Sequence, residues 1–186
     1  MLRHPSASGL MEGGFVFYGG LITGPLGYLL GCKIARCHPR DFTNIFAFVI
    51  PFIHAFGRIG CFCAGCCYGI PYSGPFALHY KAPVSDAPLN TGLFPVQLTE
   101  ALLLFIFAFV ILWLLFTKIR AADHPLFAYY MIYYSVVRFM LEFLRYDSAR
   151  GFIWIFSISQ WISMILFIVG LAIITIKILH KDRQVK

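Results

Sequence analysis

Gly57-Arg58-Ile59-Gly60-Cys61-Phe62-Cys63-Ala64-Gly65-Cys66-Cys67-Tyr68-Gly69 closes the apolar run that begins at Phe42, and it puts an arginine where lipid-facing sequence would carry none. An unpaired cation at membrane depth costs at least ~2.5 kcal/mol on insertion scales, so such residues pair, face a cavity and mark sites. Reading the stretch as the end of a membrane span requires the rest of the chain to be equally apolar. It is: of 186 residues 60% are hydrophobic, 18% aromatic and only 12% charged, with a mean hydropathy of +0.78. A soluble domain of this length needs a far more polar surface.

Working outward, the apolar text divides into five expected spans of an all-α, polytopic integral membrane protein forming a single membrane domain, at 13–31, 42–57, 101–117, 125–144 and 152–176. The basic clusters at 33–40, 118–120 and 177–186 fall on one side of this arrangement. The positive-inside rule makes that side cytoplasmic, with the amino terminus outside and the carboxyl terminus inside. It also accounts for the net charge of +7, so no nucleic-acid partner is expected. The first dozen residues lack the apolar centre of a cleavable signal, and the first span is expected to direct insertion itself. Residues 70–93 carry Pro71, Gly74, Pro75, Pro83, Pro88, Asn90 and Gly92 and read as an exterior loop, in which 76–80 alternates weakly and could form a hairpin arm.

The polar residues inside the spans collect at their outer ends. Tyr134, Arg138, Glu142 and Arg145 lie within an arc of ~80° on one helical face, and Glu142 is spaced to bridge either arginine. Arg58 ends a span of the same direction and reaches a similar depth. Two arginines near the outer interface point to an anion, and lipid phosphates are the anions available there. Gln97 and Glu100 stand at the outer start of the third span, where Glu100 reads either as a favourable helix-start carboxylate or as part of the site. Tyr18, beside Gly19 and Gly20, offers a phenol as hydrogen-bond donor or proton carrier. His54 alone reads as a packed or interfacial histidine.

Cys61, Cys63, Cys66 and Cys67 crowd one segment. Their spacing differs from the separated pairs of a usual zinc site, and metal, redox and small-residue packing readings all stand.

The chain resembles the prolipoprotein diacylglyceryl transferases. The resemblance is carried by Phe17-Tyr18-Gly19-Gly20-Leu21-Ile22, by the Gly57 to Gly69 signature, by Pro95-Val96-Gln97-Leu98-Thr99-Glu100, and by Tyr134 to Arg145, in family order. It implies transfer of the diacylglyceryl group of phosphatidylglycerol to the lipobox cysteine thiol of a prolipoprotein peptide at the outer face of the bacterial cytoplasmic membrane, with release of glycerol phosphate. Arg58, Arg138, Tyr18 and Glu142 are then the catalytic candidates. Gly19, Gly20, Cys61, Gly69, Gln97, Glu100, Tyr134 and Arg145 are the candidates for substrate binding, at a site between the first, second and fourth spans. No cofactor or metal is implied, and the nucleophile belongs to the substrate.

The chain departs from the family pattern at several points. Tyr18 stands where the family usually has a histidine, and Cys61, Ala64 and Cys66 occupy the signature's usual asparagine and glutamate positions. Against the family's usual seven spans, the first two are expected to be absent. Two further readings stay open: a membrane protein that binds phosphatidylglycerol or a lipoprotein precursor without turnover, and a related transferase with another acceptor.

Overall fold

The computed structural model describes residues 23–24, 26–81, 87–117, 125–147 and 151–184. Helices dominate, joined by two small hairpins, and the chain is an all-α membrane protein. It divides into two compact units, Met1–Phe42 and Thr43–Lys186.

In the first unit, residues 26–34 form helix α1. It closes in a Schellman motif: the Cys37 N–H donates to the Cys32 carbonyl at 3.0 Å and the Arg36 N–H to Lys33 at 3.3 Å, with Arg36 in the left-handed region at φ 53. Most of the expected first span, Tyr18-Gly19-Gly20 included, lies outside the described residues.

Helix α2 runs Pro39–Cys63, α3 Val96–Phe116, α4 Leu126–Glu142 and α5 Ile158–Gln184. Among the described residues, three stretches are long and apolar enough to cross a bilayer: Asn44–Cys63, Val96–Phe116 and Ile158–His180. Helix α4, at 17 residues, is about 26 Å long and shorter than a hydrocarbon core of ~30 Å.

Helices α2 and α3 each turn one narrow face to their neighbours. On α2, Ala47, Pro51 and Ala55 are fully buried at four-residue spacing. Arg58 continues the same face, since three and four residues are one helical turn. On α3 the buried stripe is Gln97, Glu100, Ala101, Leu104, Ala108 and Ile111, while Leu102, Ile106, Phe109 and Trp113 are exposed, as suits a lipid-facing side. Ala55, Ala101, Leu104 and Tyr130 form one core cluster across α2, α3 and α4, and Ala47, Ile111 and Leu126 form a second. The Asn44 side chain on α2 accepts a hydrogen bond from the Leu126 N–H at 3.2 Å, which satisfies an otherwise orphan donor in the first turn of α4.

The described residues of the expected exterior loop, 70–81 and 87–93, are folded. Strands β1 (Leu78–His79) and β2 (Gly92–Leu93) pair antiparallel, which places a hairpin arm within 76–80. The Tyr80 hydroxyl donates to the Phe62 carbonyl at 3.0 Å, tying this loop to the end of α2. Strands β3 (Phe152–Ile153) and β4 (Phe156–Ser157) form a second hairpin, so the last helix starts at Ile158 rather than 152. A capping box sets that start. Ser157 Oγ accepts from the Gln160 N–H at 3.2 Å, and Gln160 Oε1 accepts from the Ser157 N–H at 2.9 Å.

Helices α4 and α5 pack closely because small residues face each other. A side chain at Gly170 would meet Ile132 Cγ1 at 2.8 Å and the Ala128 carbonyl at 3.2 Å. Without a hydrophobic drive between helices in lipid, such close backbone approach supplies the packing energy. Gly170→Leu is expected to lower the thermal midpoint in detergent by the equivalent of about 1–3 kcal/mol. Leu171→Ala, on the exposed side of α5, should leave it nearly unchanged.

Candidate functional site

Six charged side chains form one continuous chain at the end of the helices to which Arg58 belongs. Arg58 Nε lies 3.1 Å from Glu100 Oε1, and Arg138 Nη1 lies 3.6 Å from the other oxygen of the same carboxylate. Arg138 Nη2 is 2.8 Å from Glu142 Oε2, and that oxygen is 3.4 Å from Arg145 Nη1. Arg145 then grips Asp147 with two hydrogen bonds, Nε to Oδ1 at 2.9 Å and Nη2 to Oδ2 at 2.7 Å. The charges alternate in sign along the chain and sum to zero, which is what burial demands. The Glu100 and Glu142 side chains are each only 2% exposed.

The six members are delivered by four segments of the chain. Arg58 comes from α2, Glu100 from α3, Arg138 and Glu142 from α4, and Arg145 with Asp147 from the segment that follows α4. Ser159 Oγ, in the first turn of α5, accepts from Arg138 Nη2 at 3.0 Å. The Tyr134 hydroxyl, one turn before Arg138, donates to Glu100 Oε1 at 3.2 Å, and the His54 ring stacks edge-on against Tyr134 with centroids 5.0 Å apart. Glu100 is thus the shared carboxylate of both arginines. It is the fifth residue of α3, beyond the first turn where a helix dipole acts, so the helix-start reading of Glu100 does not hold.

Two donors remain underused. Arg58 Nε and Arg138 Nη1 are buried and make no aligned hydrogen bond, although both stand close to Glu100. Together the guanidinium groups offer donors to an anion that approaches beside that carboxylate.

The signature beyond Arg58 builds the frame. Cys61 to Cys66 is a Schellman motif that ends α2: the Cys66 N–H donates to the Cys61 carbonyl and the Gly65 N–H to Phe62, both at 3.1 Å, with Gly65 at φ 64. Gln97, fully buried, donates from Nε2 to the Cys66 carbonyl at 2.9 Å. Gly69 lies where the chain passes between two other segments. A side chain there would come within 2.4 Å of the Phe94 carbonyl and 3.1 Å of the Leu144 carbonyl. Hydrogen bonds from the Ile70 N–H to Leu144, from Tyr146 to Tyr68 and from Phe94 to Ile70 stitch the ends of α2, α3 and α4 together around it.

The structure therefore brings Arg58, Glu100, Tyr134, Arg138, Glu142 and Arg145 into one network, with Gln97 and Gly69 in its backbone support and Cys61 one turn beyond Arg58. Tyr18, Gly19 and Gly20 lie outside the described residues. The sequence reading missed Asp147 and Ser159. Asp147 carried a signal, an acid two residues from an arginine, whereas Ser159 carried none.

The family model described as prolipoprotein diacylglyceryl transferase matches residues 3–176. The chain belongs to the prolipoprotein diacylglyceryl transferase family. Curated relatives named phosphatidylglycerol–prolipoprotein diacylglyceryl transferase include one from Clostridium tetani, 36% identical over 91% of this chain and 66% of the relative. A second from Clostridium perfringens is 35% identical over 92% and 65%, and one from Chlorobaculum tepidum is 33% identical over 87% and 55%. The chain thus spans just under two thirds, or less, of the length of these relatives.

Outside the spans, Arg145 and Cys67 are among the groups with shifted acidities. Burial works against the charge on Arg145, but hydrogen bonding to Asp147 and its negative charge outweigh that and raise the guanidinium above its ordinary value. The Cys67 thiol is pushed well up, first by its hydrogen bond to Cys61 and then by burial.

Two outcomes follow. Glu100→Gln leaves two buried arginines without their common counter-charge and should cost about 3–5 kcal/mol of stability in a denaturation series. Replacing the Arg58–Glu100 pair together, by Arg58→Met and Glu100→Leu, leaves the other four charges balanced and should recover much of that loss. Because a raised pKa lowers the thiolate fraction at a given pH, Cys67 should need a pH above that of an ordinary thiol (~8.5) for half-maximal maleimide reactivity, as read by mass spectrometry of each cysteine peptide.

Proposed function

We propose that this chain transfers the diacylglyceryl group of phosphatidylglycerol to the thiol of a lipobox cysteine in a prolipoprotein, at the exterior leaflet of a bacterial cytoplasmic membrane. The observation that carries the reading is the convergence of Arg58 and Arg138, from separate helices, on one carboxylate with buried donors unaligned. The relatives' names supply the substrates.

In the proposed step the substrate sulfur attacks the glyceryl carbon bonded to the phosphate oxygen. A carbon–sulfur bond forms, the carbon–oxygen bond breaks, and its electron pair passes to the phosphate, which leaves as glycerol phosphate. The thiol proton is carried away through Tyr18, to which we assign a relay role in which the phenol takes up that proton as it passes its own to water, with Gly19 and Gly20 as the neighbouring substrate-binding candidates.

The phosphodiester carries one negative charge and the departing monoester gains a second. Arg58 and Arg138 therefore hold the transition state and product more tightly than the bound lipid, which is the condition for lowering the barrier. Glu142 holds Arg138, Glu100 holds Arg58 and is itself held by Tyr134, so that the donors stay in place while charge develops.

With purified protein in phosphatidylglycerol vesicles and a lipobox peptide, glycerol phosphate release should accompany thioether formation. Arg58→Lys and Arg138→Lys keep the charge but lose the fork, and each should cut the rate by about a hundredfold or more. Retention of lipid with no release by the unaltered protein would instead favour a binder without turnover, and release without peptide modification would favour another acceptor.

A further inference from the structure

The sulfurs of Cys61, Cys66 and Cys67 lie within 4.8 Å of one another, and no bond made or broken in the proposed transfer involves them. We propose that these three thiols form a binding site for a single soft, thiophilic cation of the Cu(I) type. The proposal does not depend on the transferase reading.

The backbone places the three ligands before any ion arrives. Cys61 and Cys66 occupy the third-from-last helical position and the second position beyond the cap in the Schellman motif that ends α2, two positions whose side chains meet in this motif. The Cys66 Sγ reaches back to the Cys61 carbonyl at 3.7 Å. Cys67 follows in the left-handed region at φ 56, which turns the next residue away from the helix direction. The Gln97 amide clamps the carbonyl between them. The loop is held from the other side by Tyr68, which is buried and accepts from the Tyr146 N–H at 3.0 Å.

The dimensions suit such an ion. Metal–sulfur bonds of ~2.3 Å in a planar three-coordinate site put the sulfurs ~4.0 Å apart, so the observed spacing needs rotamer adjustments of tenths of an ångström. Soft thiolate ligands select Cu(I) and Zn(II) among first-row ions. Among the described residues the cluster contains three ligands and no fourth. That number is complete for Cu(I) and one short for a closed zinc site. Binding requires the thiols to lose their protons, and the nearby Arg145 and Arg58 both act electrostatically in favour of the Cys67 thiolate.

The test is a titration of the reduced, detergent-purified full chain with Cu(I), under argon, in competition with bicinchoninate, whose Cu(I) complex is read by visible absorbance. The expected result is one equivalent bound per chain. Cys66→Ser and Cys67→Ser should each weaken binding by about a hundredfold or more, whereas Cys63→Ser, at an exposed position outside the cluster, should leave it unchanged. A parallel Zn(II) competition with a colorimetric chelator should show weaker binding than Cu(I). X-ray absorption on the loaded unaltered protein should show three sulfur ligands, and it stands even where a serine variant fails to fold. Retention of Cu(I) by the Cys66→Ser, Cys67→Ser double variant would overturn the proposal, as would fewer than three sulfur ligands, or a dependence on Cys63.

Discussion

A buried carboxylate cannot stay charged without partners, and Glu100 has two arginines from two different helices. That one constraint organises the second unit of the chain. Arg58 sits at the end of the Ala47, Pro51 and Ala55 seam of α2, Arg138 stands on the inner face of α4, and the acid that α3 places between them is the counter-charge they share. The alternation then propagates through Glu142 and Arg145 to Asp147. Removing any one member leaves an uncompensated charge, which is far costlier than replacing the whole set by apolar side chains.

The network has to be held to within fractions of an ångström, and the backbone around Gly69 does that. Three segments that enter or leave helices pass each other there at a distance that a side chain would forbid. The hydrogen bonds across that crossing fix the ends of α2, α3 and α4 relative to each other. The arginines therefore inherit their positions from rigid helix ends, which is the arrangement that electrostatic stabilisation of a leaving group requires.

Much of this was legible in the sequence, and the limits were physical. Arg138, Glu142 and Arg145 share a face because helical periodicity puts them there, and the grouping needed nothing from elsewhere in the chain. The bond between Glu100 and Arg58 joins residues of separate helices, and no local pattern encodes it; only the cost of a buried charge hinted that a partner existed. Helix α2 continues through Gly57 and Gly60 to Cys63 because packing outweighs the modest penalty of glycine in a helix. The last helix begins at Ile158, and the Ser-x-x-Gln signal at Ser157 to Gln160 was present but went unread. The cysteine spacing was read for metal, redox and packing alike, and the helix-ending motif beneath it went unread. The structure shows that Cys32 with Cys37, and Cys61 with Cys66, occupy equivalent positions of two helix-ending motifs, each with the same 3.7 Å contact from sulfur to carbonyl.

The central claim is that Arg58 and Arg138 together hold the phosphate of a lipid beside Glu100. Solid-state NMR dephasing between lipid phosphorus and isotopically labelled arginine guanidinium carbons, in phosphatidylglycerol bilayers, measures it directly. The account predicts both guanidinium carbons at ~4 Å from phosphorus, the distance set by paired N–H···O bonds of ~2.8 Å, with both signals lost in the Arg58→Lys, Arg138→Lys protein. Dephasing that survives in that protein, or that arises from a single arginine, would contradict it.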